Sequence, residues 1–213
     1  VFYHVYQTGG WVEMMWEQVY RLTDAGLLDT ARVFMGVNGS EPMGIEWTGI
    51  EYVRHKSNNE EADTLKLIRD YCARCEPSYV LYIHTKGVSR QTPFTEDWRR
   101  MMEYFVIDRW EHALDILGDE GAVGCNLQSD TFMGHHPHFS GGMWWATSEH
   151  INALNHSYLD GPTRWHREFW IGTAGPLKCL HESGLNTRDR GGHYEERYPQ
   201  ERYVIQPLNH KSP

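Results

Sequence analysis

The sequence has no apolar run approaching the length of a bilayer span. Its first six residues are too few, and too soon followed by Gln7-Thr8-Gly9-Gly10, to read as a signal peptide. No transmembrane segment is expected, and the protein is expected in the cytoplasm. Positive charge is scarce as well: 20 Lys and Arg stand against 29 Asp and Glu, a net −9 that argues against a protein coating nucleic acid or an anionic membrane. Cysteine is rare. Of the four, Cys72 and Cys75 form C-x-x-C, but they fall on a helical pattern and no second pair has zinc spacing, so reduced, buried thiols are expected. Low-complexity tracts and internal repeats are missing, and 23% charged residues against 40% hydrophobic ones describe an ordered chain rather than a disordered one. At 213 residues, one domain is expected. Two nucleotide-binding signatures are also missing. The first turn, Gln7-Thr8-Gly9-Gly10, has neither the glycine spacing of a dinucleotide fold nor the lysine of a phosphate-binding P-loop.

Tryptophan, tyrosine and histidine, by contrast, are plentiful: 9, 12 and 13 residues. Flat rings with a polar edge suit stacking on sugars and bases, and equally fill cores. Strand patterns fall at 1–6, 31–37, 50–53, 79–83, 121–127 and 139–146. Between them lie helical patterns carrying Trp11, Met15, Val19 and Leu22, then Leu65, Ile68 and Cys72, and then the stretch 95–117 with Thr95 as N-cap. Shorter helices are expected at 148–154 and 163–171. This alternation is that of a layered α/β sheet with crossovers. Loops at 56–61, 87–94, 128–138 and 188–198 are the segments expected to meet a ligand.

The stretch Tyr79 to Ile83 reads as a buried strand and runs directly into His84-Thr85-Lys86-Gly87. In open α/β sheets ligands gather beyond the carboxyl ends of the strands, so His84 and Lys86 should share the ligand-facing side and Thr85 the opposite one. An imidazole and an ammonium suit a diphosphate, with or without a divalent cation; a solvated basic turn would look the same. Arg90 follows in the loop, and Arg99 and Arg100 diverge by about 100 degrees on their helix, so at most one reaches the site. Gln7 and Thr8 at the first turn suit a base or an ordinary turn. Asp63 suits a ribose or a helix cap. Gly141-Gly142 permits close backbone approach beside Trp144 and Trp145, or makes a bulge in a strand. Arg164 and Glu168, four apart, form a surface ion pair or offer a carboxylate as general base.

In order, the Asn-rich turn before Asp63, His84-Thr85-Lys86-Gly87, Trp98-Arg99, Phe139-Ser140-Gly141-Gly142-Met143-Trp144-Trp145, and Arg164 with Glu168-Phe169-Trp170 resemble glycosyltransferases of the GT-A fold. The likeness is to the rhamnan-synthesis-related branch, in which His-x-Lys stands where Asp-x-Asp is usual, and it spans residues 3 to 183. It implies a Rossmann-like, mostly parallel sheet of about six strands flanked by helices. It further implies a UDP-sugar donor carrying a hexose or 6-deoxyhexose, a glycan acceptor, and further domains of the same chain, as in viral multidomain members.

Carried over by position, the resemblance places Tyr6, Gln7 and Thr8 near uracil, Asp63 near ribose, and His84 and Lys86 at the metal and diphosphate; Arg90, close by in the loop, is expected to add positive charge there. Gly141, Gly142 and Trp144 fall where donor sugar and acceptor meet, and Glu168 falls where inverting members keep their base, with Lys86 steadying the departing diphosphate. Mn²⁺ or Mg²⁺ is implied at the diphosphate. With two aspartates missing, either Lys86 partly replaces the cation, or donor phosphates hold it together with His84 or a tail histidine such as His193. Two other readings of the same residues are a carbohydrate-binding module without catalysis and a sugar nucleotidyltransferase.

Overall fold

The computed structural model describes residues 1–41, 43–44, 47–55, 61–129, 136–185 and 192–204. The polar turn at 57–59, and the parts of the expected ligand loops at 56–60, 130–135 and 188–191, lie outside the described residues.

The first half of the chain is βα-alternating. Strand β1 (Phe2–Tyr6) leads into α1 (Trp11–Asp24), a short α2 (Leu27–Thr30) and β2 (Val33–Asn38). Then come β3 (Ile50–His55), α3 (Ala62–Cys72) and β4 (Tyr79–His84). All four strands are mutually parallel, in the order β3-β2-β1-β4. Their apolar runs, such as Val33 to Val37, are buried on both faces, as parallel strands covered by helices must be.

The second half extends this sheet. Helices α4 (Pro93–Glu103) and α5 (Trp110–Leu117) precede β5 (Ala122–Cys125), and a two-residue ribbon pairs β6 (Leu127–Gln128) with β7 (His138–Phe139). Strand β8 (Trp144–Thr147) is followed by α6 (Ser148–Ala153), α7 (Arg164–Trp170) and β9 (Leu177–His181). The full order is β3-β2-β1-β4-β8-β5-β9, with β8 antiparallel to both neighbours. The result is a mixed, mostly parallel seven-stranded sheet flanked by helices, where six strands were expected. Among the described residues no helix is long and apolar enough to cross a membrane.

Three local differences from the expected elements have identifiable causes. The stretch 139–146 is not one strand, because Gly141 (φ 103°) and Gly142 (φ 76°) turn the chain and leave only its ends in β7 and β8. Helix α4 begins earlier than expected: Thr92 is the N-cap, Pro93 takes the first helical position, and Thr95 completes a reciprocal capping box from the third. Between α4 and α5 the chain makes a π-helical turn at Tyr104–Asp108. That turn leaves the Val106 carbonyl to accept the buried indole N–H of Trp145 at 2.8 Å. The edge strand β9 was not foreseen, since its half-buried residues carry no strong alternation. All four cysteines are free thiols; Cys72 and Cys125 are buried, while Cys75 and Cys179 are partly so.

Two apolar layers sandwich the sheet. One joins α1, α4 and α5 to it through residues such as Met15, Leu22, Met101 and Ile107; the other joins α3 and α6 through Leu65, Ile68 and Ile151. At the carboxyl ends of β1 and β4 the layers part.

Candidate functional site

A cavity of about 370 Å³ opens where the layers part, lined by the ends of β1 and β4, the loop 85–90, the start of α3, the Gly141-Gly142 turn and α7. Of the residues singled out from sequence, Tyr6, His84, Lys86, Arg90, Gly141, Gly142, Trp144 and Glu168 all line it. They come from four separate segments, so their meeting is a property of the fold and not of sequence proximity.

The end of β4 is held rigidly from behind. Gln18, fully buried on α1, spends both amide hydrogens: Nε2 donates to the His84 carbonyl at 3.0 Å and to Glu103 Oε1 at 2.7 Å. Glu103 in turn accepts two bonds from Arg99 Nη1, at 2.7 and 2.9 Å, and Arg99 Nη2 reaches Glu17 Oε2 at 2.6 Å. Neither Arg99 nor Arg100 lines the cavity; Arg99 is buried beneath it and Arg100 pairs with Glu17 and Glu96. Thr85 is buried, and its hydroxyl accepts the Tyr6 amide at 3.1 Å, which ties the two strand ends together.

The His84 ring is fixed from the front. Its Nε2 lies 2.7 Å from the Gly141 carbonyl, which can only accept, so Nε2 carries the proton and Nδ1 is the nitrogen with a free lone pair. Burial, and then the Lys86 charge, lower its pKa to about 4, so the ring is neutral at neutral pH. Lys86 Nζ sits 4.3 Å over the Trp98 ring, a cation–π contact that steadies the ammonium at the cavity wall. The turn itself requires glycine. A Cβ on Gly141 would lie 2.3 Å from Met102 Sδ and 3.2 Å from Trp98 Nε1.

Glu61, Tyr82, Arg164, Arg167 and Tyr194 also line the cavity, as do His4 and the buried Thr85. Tyr82 donates its hydroxyl to Glu61 Oε2 at 2.9 Å, and burial raises the pKa of that carboxyl. On α7, Arg164, Arg167 and Glu168 share one face through three- and four-residue spacing. The Arg164–Glu168 pair is stretched to 4.0 Å, with Glu168 mostly buried and Arg164 half exposed, so these charges face the cavity as much as each other. Lys86, Arg90, Arg164 and Arg167 against Glu61 and Glu168 leave two positive charges in excess, in a protein with a net charge of −9.

Four expected site residues lie elsewhere. Gln7 ties β1 to the loop after β2, donating to the Glu41 carbonyl at 2.9 Å and accepting from Arg54 at 3.2 Å, and neither it nor Thr8 is part of the lining. Asp63 is on the first turn of α3, beside His55; Glu61, two residues earlier, is the carboxylate that reaches the cavity. His193 is buried behind Trp98, its ring stacked at 5.0 Å and 8°, with Nε2 turned to Ser183 Oγ at 2.8 Å and Asn126 Nδ2 at 3.1 Å. Glu61 carried no pattern of its own in the sequence, because it sits at the edge of a polar run where any carboxylate reads as a helix-start residue.

For a divalent cation the fit is poor. Among the described residues no group of three His, Cys, Asp or Glu is placed to hold a metal. His84 offers Nδ1 alone, and His193 faces inward.

Fold and site together define an α/β protein with a cationic cavity at the carboxyl ends of its parallel strands. The chain belongs to the family described as Domain of unknown function (DUF8361), whose profile matches residues 44–159, from the approach to β3 to just past α6. No curated protein matches it. The matched segment contains β4 with its His-x-Lys end and the Gly141-Gly142 turn, while β1 and α7 lie outside it.

Proposed function

We propose that the chain is a glycosyltransferase domain of GT-A type that transfers a hexose or 6-deoxyhexose from a UDP-sugar to a glycan hydroxyl. The observation that carries this reading is the local excess of positive charge lining this cavity of an acidic protein, at the strand ends where α/β sheets bind ligands. A diphosphate fits that excess. The resemblance in motif order supplies the sugar nucleotide, and the mostly parallel sheet is consistent with it.

In this reading the diphosphate lies against Lys86 and Arg90, with Arg164 across the cavity and His84 Nδ1 accepting from a donor hydroxyl. The base or ribose lies toward Tyr6, and the sugar lies along Gly141, Gly142 and Trp144. Glu61 replaces Asp63 as the carboxylate that accepts from a ligand hydroxyl, since Glu61 and not Asp63 lines the cavity, and Tyr82 holds its Oε2 in place. For transfer with inversion, the acceptor oxygen bonds to the anomeric carbon as the bond to the diphosphate breaks. The electron pair of that bond leaves with UDP, and the acceptor proton passes to Glu168. Lys86 and the arginines stabilise the charge of the departing UDP. Among the described residues the side chains do not fit a protein-held Mn²⁺ or Mg²⁺, and no step is routed through one.

Thermal-shift and calorimetric titration with UDP, UDP-hexoses, dTDP-6-deoxyhexoses and free oligosaccharides tests the reading, because a ligand stabilises by RT ln(1 + [L]/Kd). Stabilisation by a nucleotide sugar, followed by release of UDP when an acceptor is added, is expected. Binding of oligosaccharides with no response to any nucleotide would replace it with a carbohydrate-binding module. Pyrophosphate-dependent formation of the UDP-sugar would replace it with a nucleotidyltransferase.

A further inference from the structure

A row of polar side chains crosses the sheet on the α3 side, starting at the cavity. His4, buried on β1, forms part of the cavity wall, and its cross-strand partner on β4 is His84. His4 Nδ1 lies 2.8 Å from Thr64 Oγ1 on α3, and Thr64 Oγ1 lies 2.8 Å from His55 Nε2 on β3. The two imidazoles are 6.3 Å apart and inclined by 22°. Between them β2 places Gly36, where a Cβ would come within 2.2 Å of Thr64 Oγ1 and 2.5 Å of His55 Nε2. The strand therefore leaves out a side chain at the one point where the bridge passes.

A hydroxyl has one proton and can donate to only one of the two rings while accepting from the other. Thr64 thus forces the neutral imidazoles into matched tautomers, and a proton taken up by one is felt by the other. We propose that His4, Thr64 and His55 form a one-proton relay between the cavity and the outer strand β3, with His4 as a second proton acceptor in the site. At rest, His4 Nδ1–H donates to Thr64, Thr64 donates to His55 Nε2, and His4 Nε2 is bare toward the cavity. When Nε2 takes a proton, the Nδ1 proton moves to Thr64 and the Thr64 proton moves to His55 Nε2. His55 is then an imidazolium, and its Nδ1 proton departs to solvent. One proton enters at His4, one leaves at His55, and the row is left with reversed hydrogen bonds. It resets by the reverse transfer.

The charged and titratable groups around the relay favour this direction. His4 faces His84 from β4, Thr64 from α3 and His55 from β3, with no carboxylate among the groups acting on it; burial and the two histidines lower its pKa to about 3. His55 faces Thr64 and Asp63 from α3 and His4 from β1. Burial lowers its pKa and the Asp63 carboxylate raises it again, so a positive charge is better tolerated on His55 than on His4.

The identity of the proton delivered, that of an acceptor hydroxyl, rests on the glycosyltransferase reading; the relay itself is tested without it. With histidine labelled in ¹⁵N, His4 is expected in the Nδ1–H tautomer at neutral pH, switching to Nε2–H as His55 takes up a proton on acidification. In Thr64→Val, which keeps the shape and removes the hydroxyl, His55 should still titrate while the His4 tautomer stays put; in His55→Phe no switch should occur in the range where His55 titrates in the wild type. Finding His4 already as Nε2–H at neutral pH, or the same switch in Thr64→Val as in the wild type, overturns the relay. Titration of the same samples with UDP-sugar is read separately. A wild type that never binds nucleotide while the tautomers switch ends the donor reading and leaves the relay standing.

Discussion

His84 donates from Nε2 to the Gly141 carbonyl across 2.7 Å, and this one bond joins the central strand end to the glycine turn that precedes β8. It decides which nitrogen faces the cavity, while burial and the Lys86 charge keep the ring neutral, so under the proposed function His84 accepts from a ligand hydroxyl and does not pair with phosphate as a cation. The cationic work falls to Lys86 and the arginines. Replacing Lys86 by Met keeps the aliphatic contact with Trp98 and removes the charge. Loss of a charge-assisted bond of about 1.5–3 kcal/mol predicts UDP binding weaker by about 10- to 100-fold with little change in melting temperature, measured by calorimetry and thermal melts. Unchanged affinity would move the diphosphate elsewhere.

The glycine turn makes a second prediction. Gly141→Ala places a methyl against Met102 Sδ in a backbone region that L-residues avoid. A cost of about 1–3 kcal/mol is expected, read as a lower denaturation midpoint, together with weaker ligand binding because the carbonyl that holds His84 must shift. Gly142→Ala is the useful contrast. Its added carbon would meet only His84 Nε2, at 3.5 Å, so steric crowding there is small and its cost should come from backbone strain alone.

How far the sequence reveals this site depends on the kind of contact involved. The His84-Thr85-Lys86 strand end is legible as a local pattern, because a buried strand ending in polar residues has few uses, and the Gly141-Gly142 pair is legible as a place of close approach but not as the turn that breaks the expected strand 139–146. The parallel strands β1 to β4 are legible for the same reason, as apolar runs between helical periods. Glu61 and Arg167 are not, since their roles come from helix starts and helix faces set by tertiary packing. Gln7 fails in the opposite way: it sits at a strand end, as a ligand-binding residue would, but Arg54 and the Glu41 carbonyl engage its amide. The meeting of Gly36, Thr64 and His55 is invisible in one dimension, because three separate segments must come together before the glycine has a reason.

Beneath the site, Glu103 and Arg99 are a buried ion pair that also holds Gln18, and Gln18 holds the His84 carbonyl. Removing Glu103 leaves the buried Arg99 with Glu17 and takes away the carboxylate that Gln18 bonds, so Glu103→Ala is expected to cost about 3 kcal/mol, the lower end for a broken buried pair. Gln18→Leu is milder for the fold and should lower ligand affinity, since it frees the strand end without leaving a charge unpaired. Denaturant titration of both variants, with ligand binding measured on Gln18→Leu, separates anchoring from bulk stability. Equal affinity in Gln18→Leu would show that the strand end needs no such anchor.

Acid should act through the buried histidines. His4 titrates at about 3, and His84 and His193 at about 4, against an unfolded value near 6.5. Between those values the unfolded chain binds more protons than the folded one, so stability rises with pH there. The contribution of these rings is complete above about pH 6.5 and falls away as the pH drops toward 4. Urea midpoints should be level from pH 8 to 7 and decline below 6.5, with a shallower decline in His84→Asn; a flat profile down to pH 4 would mean that the rings are solvated.

The last prediction concerns the cation that the sequence resemblance implies. With His84 Nε2 committed to Gly141 and His193 turned toward Ser183 and Asn126, the described residues offer no set of three ligands, whereas four cationic side chains already face the cavity. Nucleotide-sugar binding should therefore survive chelation. The thermal shift produced by UDP-sugar should change by less than a third between EDTA and millimolar Mn²⁺, and Lys86→Met should be more sensitive to added Mn²⁺ than the wild type, because an added cation then supplies charge that the side chain no longer does. Binding that vanishes in EDTA would return the cation to the site and require ligands from segments beyond those described.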